Sequence, residues 1–349
     1  MNLLGRIRSD PRVSQLWNAM LFAGLPVAGR LALNHERSPG PARILVDVAD
    51  QPRAGAFTAL AALLDGLVER GLQVRLVTPT PPATATYQVV GASGIKSLLA
   101  HYRWADVVLT QRARTTKASR LAAFTHRPLI YMLHDPTTDI RNELRRAPDL
   151  MIAVAEHILE AHGNPSYGMV VRPPIDAAPY RTVPGSSVTL VNLSEWKGAQ
   201  IFYELAERMP DTRFLGVRGW GDQIVPDPLP ANVEIVGPTD DMKSVYARTR
   251  VLLTPSWSEG FPRTPLEAAA SGIPVIAHPC AGLREALGNA GIFVDLDDID
   301  AWLTALSTLD DPAAYKAAGR AAQARFAEVT EISGRDVAAL AAWIAHQAA

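Results

Sequence analysis

The sequence PSWSEGFPRTPLE, residues 255–267, lies between a predicted strand and a predicted helix. The strand is the branched, apolar run at 251–254. The helix begins near Thr264 and Pro265, because proline suits the first helical turn. A helix start presents unpaired N–H groups and a partial positive charge, which suit an anionic phosphate.

Two carboxylates flank this predicted helix start. Glu259 precedes the helix and Glu267 lies eight positions later, within it. Carboxylates so placed would repel a diphosphate, unless they accept hydrogen bonds from sugar hydroxyls on either side of it. The stretch therefore favours a ligand in which a diphosphate joins two sugars.

Strands and helices alternate on both sides of this stretch, which is typical of parallel, doubly wound sheets. The first series has strands at 43–49, 73–78, 106–110, 128–133 and 149–154, with helices at 57–70, 95–102, 116–124 and 155–161. Residues 172–185, which are rich in proline, predict a linker. The second series has strands at 188–193, 213–217, 233–236, 251–254, 274–277 and 292–294, with helices at 199–208, 242–249, 265–270, 312–326 and 332–346.

The second series resembles the GT-B glycosyltransferases, and within them the retaining family 4. Beyond 255–267, the resemblance rests on Lys197-Gly198, Val236-Gly237, Gly282, Glu285, Ala290-Gly291 and Val294-Asp295. It is clear over 186–310 and diffuse over 43–176. It implies an α/β protein of two Rossmann-like domains facing each other across a cleft. We expect an acceptor-side domain at 1–175, a donor domain at 176–320, and closing helices at 321–349 that cross back to the first domain.

The resemblance also implies roles for individual residues. Glu259 would contact hydroxyls of the donor sugar, and Glu267 would contact the ribose. His134, at the end of the strand 128–133, would face the donor sugar from the first domain. The backbone beside the sugar and phosphates would be that of Gly260, Phe261, Pro262, Arg263 and Thr264, and Val236 would also border the donor.

Lys197 is the expected cation on the leaving diphosphate, replacing the metal ion that other glycosyltransferase folds use. The chain has five lysines against 29 arginines, so a lysine at this turn is informative. Asn192 stands where the family commonly has an arginine. Arg218 and Arg263 are candidates for the missing charge. Only Gly55 remains of the usual pair of glycines near the donor phosphate in the first domain.

Charge divides the chain into two halves. Residues 1–175 carry 20 Lys and Arg against 13 Asp and Glu, while residues 176–349 carry 14 against 22. The basic run Arg112, Arg114, Lys117, Arg120 and Arg127 predicts a solvated face. Its alternative is contact with an acidic acceptor or with lipid headgroups at the inner face of a membrane. The acidic second half argues against a nucleic-acid partner.

Other features limit the classes of function. The single cysteine, Cys280, excludes an intramolecular disulfide and favours a reducing cytoplasm, and we interpret it as a small packed residue. Residues 1–33 predict an N-terminal helix rather than a signal peptide or a membrane span. Asp295-Leu296-Asp297 is interpreted as a turn, and no metal or cofactor is expected.

The sequence therefore predicts a retaining, metal-independent glycosyltransferase that uses a nucleoside-diphosphate sugar. The acceptor stays open among anionic, lipid-linked, glycan and protein acceptors. The alternatives are a sugar-nucleotide epimerase or phosphorylase on the same fold, and a sugar-nucleotide-binding protein without turnover.

Overall fold

The computed structural model describes residues 40–48, 55–78, 85–91, 94–137 and 147–349. Residues 41–349 form one compact unit that contains two parallel sheets. The helix predicted within 1–33 and the loop at 49–54 lie outside the described residues. None of the described helices is both long enough and apolar enough to span a bilayer.

The first sheet has seven strands in the order β3-β2-β1-β4-β5-β6-β7. Its strands are β1 Arg43–Val48, β2 Gln73–Val77, β3 Gln88–Val90, β4 Val107–Gln111, β5 Leu129–Leu133, β6 Leu150–Ala153 and β7 Gly168–Val170. Its helices are α1 Gly55–Glu69, α2 Ile95–Trp104, α3 Thr115–Phe124 and α4 Glu156–Ala161. Strands β1, β4, β5 and β6 are almost wholly buried, as expected of a sheet covered by helices on both faces.

The second sheet has six strands in the order β10-β9-β8-β11-β12-β13. Its strands are β8 Ser187–Val191, β9 Phe214–Val217, β10 Val233–Val236, β11 Thr249–Thr254, β12 Val275–Ala277 and β13 Ile292–Phe293. Its helices are α5 Ala199–Arg208, α6 Met242–Tyr246, α7 Arg263–Ala269, α8 Ala281–Leu287, α9 Ile299–Thr308 and α10 Pro312–Gln347.

Each sheet has a point where the strand order reverses, between β1 and β4 in the first and between β8 and β11 in the second. The loops that leave two such strands diverge to opposite faces of the sheet, which opens a crevice at their carboxyl ends. Both sheets therefore have a ligand-binding edge that the topology alone defines.

Helix α10 connects the two domains. Its first half packs on α7 through Ala322, Phe326 and Val329, and its second half places Val337, Leu340 and Ile344 in the core of the first domain. The sequence predicted two helices here, at 312–326 and 332–346, and the break at 327–331 was wrong: α10 is continuous over 36 residues and includes Ser333-Gly334. The cost of about 1 kcal/mol for an interior glycine is offset by contacts from outside the helix. Arg70 Nη2 donates to Gly334 O at 2.9 Å, and the Ser333 hydroxyl donates to Pro173 O at 3.5 Å.

Most of the remaining predicted strands and helices are confirmed, but several elements went unpredicted. Strands β3 and β7 have only three residues each, too few to show periodicity. Helices α8 and α9 were also missed. The start of α9 carries a recognisable signal, since the Asp298 side chain caps it by accepting from Ala301 N at 2.9 Å.

Candidate active site

Two loops at the switch point of the second sheet bring Lys197 and Glu259 together. Lys197 ends the 3-10 turn Glu195–Lys197 after β8, and Glu259 lies in the loop after β11. Lys197 Nζ donates a hydrogen bond to Glu259 Oε1, and only 17% and 16% of these side chains are exposed. Because a charge in such a position needs an opposite charge nearby, the two residues act as a unit.

The backbone after Lys197 explains why a glycine follows it. Gly198 has a φ of 80°, in the left-handed region that strains residues with a Cβ atom. A Cβ atom there would also lie 2.5 Å from Pro255 Cγ. The two loops are joined a second time by Trp257 N, which donates to Trp196 O at 3.1 Å. The Lys-Gly pair therefore fixes the lysine against the loop that carries Glu259.

The peptide that links Glu259 to Gly260 is enclosed on two sides. A Cβ atom on Gly260 would overlap the carbonyl oxygen of His134, which belongs to the first domain. A Cβ atom on Gly282 would overlap the carbonyl oxygens of Glu259 and Gly260. Phe261, the next residue, packs against the core of the first domain and against the α7–α10 cluster. The loop after β11, which carries Glu259 and Gly260, thus contacts the first domain directly at His134.

His134 follows β5, and its ring is held by Gln111 at the end of β4. The ring Nε2 is hydrogen-bonded to Gln111 Oε1, so Nε2 carries the proton. Burial, and secondarily the positive charge of Arg112, lower the pKa of His134 to about 3. The imidazole is therefore neutral at physiological pH, with Nδ1 as its acceptor.

This low pKa predicts an acid-sensitive contribution to stability. Below pH 6.5 the unfolded chain protonates its histidine and folded His134 does not, so stability falls as the pH drops from 6.5 toward 3. We expect H134Q to remove this loss, worth at most about 2 kcal/mol at pH 5. Denaturant unfolding of both proteins at pH 7.5 and pH 5 measures it. The difference in the free energy of unfolding between H134Q and the wild type at pH 7.5 measures the effect of packing alone. The same difference at pH 5 would contradict the low pKa of His134.

Glu267 lies within α7 and is 7% exposed. The Tyr246 hydroxyl donates to its Oε2 at 3.0 Å, and Arg263 Nε lies 3.4 Å from its Oε1. Burial and the nearby Glu267 carboxylate raise the pKa of Tyr246 well above its usual value, so Tyr246 is a fixed donor. Each carboxylate oxygen keeps a lone pair with which it can accept a further hydrogen bond.

The candidates for a second cation differ in their surroundings. Arg263 is paired with Glu267, and its Nη1 donates to Pro174 O of the linker at 3.1 Å. Its charge is therefore already engaged within the protein. Arg218, which follows β9, has an exposed side chain.

Asn192 occupies an unusual backbone position directly after β8. Its φ is 73°, and asparagine adopts this region more readily than most residues with a Cβ atom. Its Oδ1 accepts from Ser194 N at 3.3 Å and from Gln223 Nε2 at 2.9 Å. Gln223 is itself oriented, because its Oε1 accepts from the amides of Leu193 and Gly219, each at 2.9 Å.

The hydrogen bonds among Asn192, Ser194 and Gln223 leave two buried polar groups in the loop after β8. Within the described part of the chain, Asn192 Nδ2 and Ser194 Oγ are buried and have no hydrogen-bond partner. Buried polar groups in native proteins are paired, with protein, water or ligand. The two groups are therefore available to a ligand that enters beside Lys197.

The structure gives the remaining predicted site residues less definite surroundings. Helix α7 begins at Arg263 with Pro262 as its N-cap, close to the predicted start near Thr264 and Pro265, and Thr264 O accepts from the Tyr246 hydroxyl at 3.2 Å. Val236 ends β10 and is half-buried. Gly55 begins α1 and a Cβ atom there would meet nothing within 4 Å, while the preceding loop lies outside the described residues.

Gln111 and Gln223 were missed by the sequence reasoning. Gln111 ends a strand at the switch point of the first sheet, which is the signal that could have identified it. Gln223 carries no comparable signal, because it lies in an irregular loop.

The features set aside in the sequence have structural roles. Asp295-Leu296-Asp297 forms a turn, and Asp295 O accepts from Trp302 Nε1 at 2.9 Å. Burial raises the pKa of the Cys280 thiol, which disfavours a thiolate nucleophile. No cluster of metal-binding side chains occurs among the residues that the structure describes.

Known proteins resemble this chain in sequence over its second domain. Residues 188–311 match the family model described as glycosyl transferases group 1. Over 93 residues the chain is 33% identical to the O-antigen chain mannosyltransferase B of Escherichia coli, covering 25% of this chain and 24% of that protein. Over 76 residues it is 41% identical to the D-inositol 3-phosphate glycosyltransferase of Corynebacterium kroppenstedtii, covering 21% and 17%. The matches thus span a quarter or less of these relatives.

Solved structures resemble nearly the whole chain. The crystal structure of Anabaena HepE in complex with UDP and glucose has a TM-score of 0.70, with 18% identity over 87% of this chain and 98% of that one. WaaG, a glycosyltransferase involved in lipopolysaccharide biosynthesis, has a TM-score of 0.62, with 14% identity over 86% and 99%. The chain therefore has the GT-B fold of two Rossmann-like domains, and residues 188–311 of its second domain are similar to the glycosyl transferases group 1.

Proposed function

We propose that this protein is a glycosyltransferase that moves a sugar from a nucleoside-diphosphate sugar to an acceptor. The observation that carries the proposal is the Lys197–Glu259 pair at the switch point of the second sheet, next to Gly260 where the domains touch. The nucleotides in the HepE structures and the transferase names of the relatives support it.

In this proposal the donor lies along the edge of the second sheet. Lys197 donates to the leaving diphosphate, and Glu259 accepts from hydroxyls of the transferred sugar. Glu267 accepts from the ribose, while Asn192 Nδ2 and Ser194 Oγ donate to the nucleotide. Neutral His134 holds a sugar hydroxyl from the opposite domain.

We propose further that transfer retains the anomeric configuration and needs no metal ion. The bond from the anomeric carbon to the diphosphate oxygen breaks, and a bond from that carbon to the acceptor oxygen forms on the same face. The acceptor proton passes to the departing phosphate oxygen, so no side chain has to act as the base. Lys197 stabilises the charge that develops on that oxygen.

Incubation with a panel of nucleotide sugars tests the proposal. Release of a nucleoside diphosphate together with a glycosylated product, unchanged by EDTA, is the expected result. Product analysis by NMR gives the anomeric configuration. Turnover that requires a divalent cation would overturn the metal-independent mechanism.

The role of Glu267 gives a separate prediction for binding. Loss of a charge-assisted hydrogen bond to the ribose costs about 1.5–3 kcal/mol, so E267Q should bind nucleoside diphosphates at least ~10-fold more weakly. Isothermal titration measures this, and E234Q, at an exposed carboxylate on β10, is the control. Equal affinity of E267Q and the wild type would remove Glu267 from the site.

Asn192 favours one second candidate, a sugar-nucleotide-binding protein without turnover. The residue is neutral and internally bonded where the resemblance implies an arginine, so the charge on a leaving diphosphate is less fully balanced. Tight nucleotide-sugar binding without nucleotide release, across a panel of acceptors, would favour this candidate.

We place the protein in the cytoplasm, with contact to the inner face of a membrane as the alternative that its basic first half suggests. Fractionation of cells at low and high salt distinguishes the two, because an electrostatic contact is released by salt. We expect no nucleic-acid partner.

A further inference from the structure

A basic turn lies at the switch point of the first sheet, on its carboxyl edge. Strand β4 ends at Gln111 and is followed by the 3-10 turn Arg112–Arg114, which leads into α3. Arg112 has a φ of 52°, which is rare for a residue with a long side chain, and 45% of its side chain is exposed. Such strain persists where the surrounding structure imposes it, and it is concentrated at functional sites.

A buried aspartate fixes the second cation of this turn. Asp47, near the end of β1, is fully buried, and Arg114 Nε lies 3.2 Å from its Oδ1. The Tyr102 hydroxyl donates to Oδ2 at 2.8 Å. The Asp47 carboxylate therefore forms an ion pair with the Arg114 guanidinium and positions it beside the turn. Lys117 lies three residues after Arg114, in the first turn of α3. Burial raises the pKa of Asp47, and the positive charges of Arg114 and Lys117 oppose this shift.

The basic turn is connected to the donor site through His134. Gln111, the residue before Arg112, is hydrogen-bonded to the His134 ring. Arg112 Nη2 lies 4.0 Å from Asp135 Oδ2, in the residue after His134. The His134 carbonyl in turn contacts Gly260. A ligand at the basic turn would therefore lie on the first-domain side of the contact between His134 and Gly260, opposite Lys197 and Glu259. In the proposed transfer reaction the acceptor binds on that side.

The charges of this cluster do not cancel. Within the described part of the chain, three cations of this cluster face two carboxylates, those of Asp47 and Asp135, and neutral His134 adds no charge. Arg114 is paired with Asp47, whereas the exposed and strained Arg112 has, among the residues that the structure describes, Asp135 at 4.0 Å as its charged partner. The excess positive charge of this described cluster is therefore at Arg112 and Lys117, whose side chains are exposed.

We propose that the acceptor carries an anionic group, a phosphate or a carboxylate, which binds to Arg112, Arg114 and Lys117. This proposal rests on the proposed function, because it assigns the acceptor of that same site. Arg112 supplies the main contact, Arg114 is positioned by Asp47, and Lys117 adds a point charge.

The test uses the full chain saturated with the nucleoside diphosphate that stabilises it most, so that the donor site is filled. Glucose 6-phosphate and glucose are the probes, and titration calorimetry is the readout. We expect the phosphate ester to bind and glucose to bind at least ~10-fold more weakly. R112Q should lose at least ~10-fold in affinity for the ester, and K117Q should lose less. K96Q, at an exposed lysine on α2, should match the wild type.

Equal binding of both probes, or of the ester by R112Q and the wild type, would overturn the anionic site. If no nucleoside diphosphate binds, while R112Q still loses the ester, the proposed transferase function falls and the anionic site stands. Vesicles of phosphatidylglycerol and of phosphatidylcholine distinguish the source of the anion. Sedimentation with the anionic vesicles alone, lost in R112Q, assigns a lipid headgroup, and its absence together with ester binding assigns a soluble acceptor.

Discussion

Replacing Lys197 with alanine is expected to lower kcat for sugar transfer by ~10²- to 10³-fold, the range found when one preorganised donor to a developing oxyanion is removed. The residue is held in place by Glu259 and by the turn at Gly198. Its removal takes a positive charge from the leaving diphosphate. It also leaves the Glu259 carboxylate without its partner, so that a negative charge remains beside a negative ligand.

Steady-state kinetics with the donor identified from the panel measure this effect. K243A, at an exposed lysine on α6, is the matched control and should keep wild-type kcat. Ethylammonium added to K197A should restore part of the rate, because a small cation can enter the vacated space. A kcat within a few-fold of the wild type would exclude Lys197 from leaving-group stabilisation.

The second large effect is expected from G260A. The added methyl group would overlap the His134 carbonyl oxygen, and Ile158 Cδ1 lies 3.5 Å away. Since backbone atoms cannot move aside easily, the loop that carries Glu259 and Gly260 must move away from the first domain. A displacement near 1 Å costs about 10²-fold in rate when the reacting groups must be aligned. We therefore expect kcat/KM to fall at least ~10²-fold.

Nucleoside diphosphate binding should change little in G260A, because Lys197 and Glu267 belong to the second domain. G334A is the control, since a Cβ atom at this helical position meets nothing within 4 Å and alanine favours the helix by about 1 kcal/mol. If G260A transfers sugar at the wild-type rate, contact between Gly260 and His134 is not required for the reaction.

The sequence was most informative where a function depends on adjacent residues. Residues 251–267 predicted the strand, the loop and the approximate start of α7 because all three signals are local. Lys197 and Glu259 were each selected from their own loops. Their mutual hydrogen bond could have been expected from the neighbouring positions of β8 and β11.

Long-range partners could not be predicted in the same way. Arg172 is an example: it lies in the linker, and its guanidinium bonds Glu156, Glu285 and Asp336, which belong to three different helices. Nothing in the residues around 172 indicates such partners. Left-handed Asn192 is similar, because its conformation is stabilised by Gln223, 31 positions away.

The continuous helix α10 has a mechanical consequence. In the part of the chain that the structure describes, two segments pass between the sheets, residues 171–186 and α10. The two passages touch each other, since Arg172 Nη1 donates to Asp336 Oδ2 at 3.0 Å and Ser333 bonds Pro173 O. Because two joined connections resist translation more than rotation, we expect the domains to move relative to each other mainly by rotation about this pair. We expect such a rotation to separate Gly260 from His134 as the domains move apart.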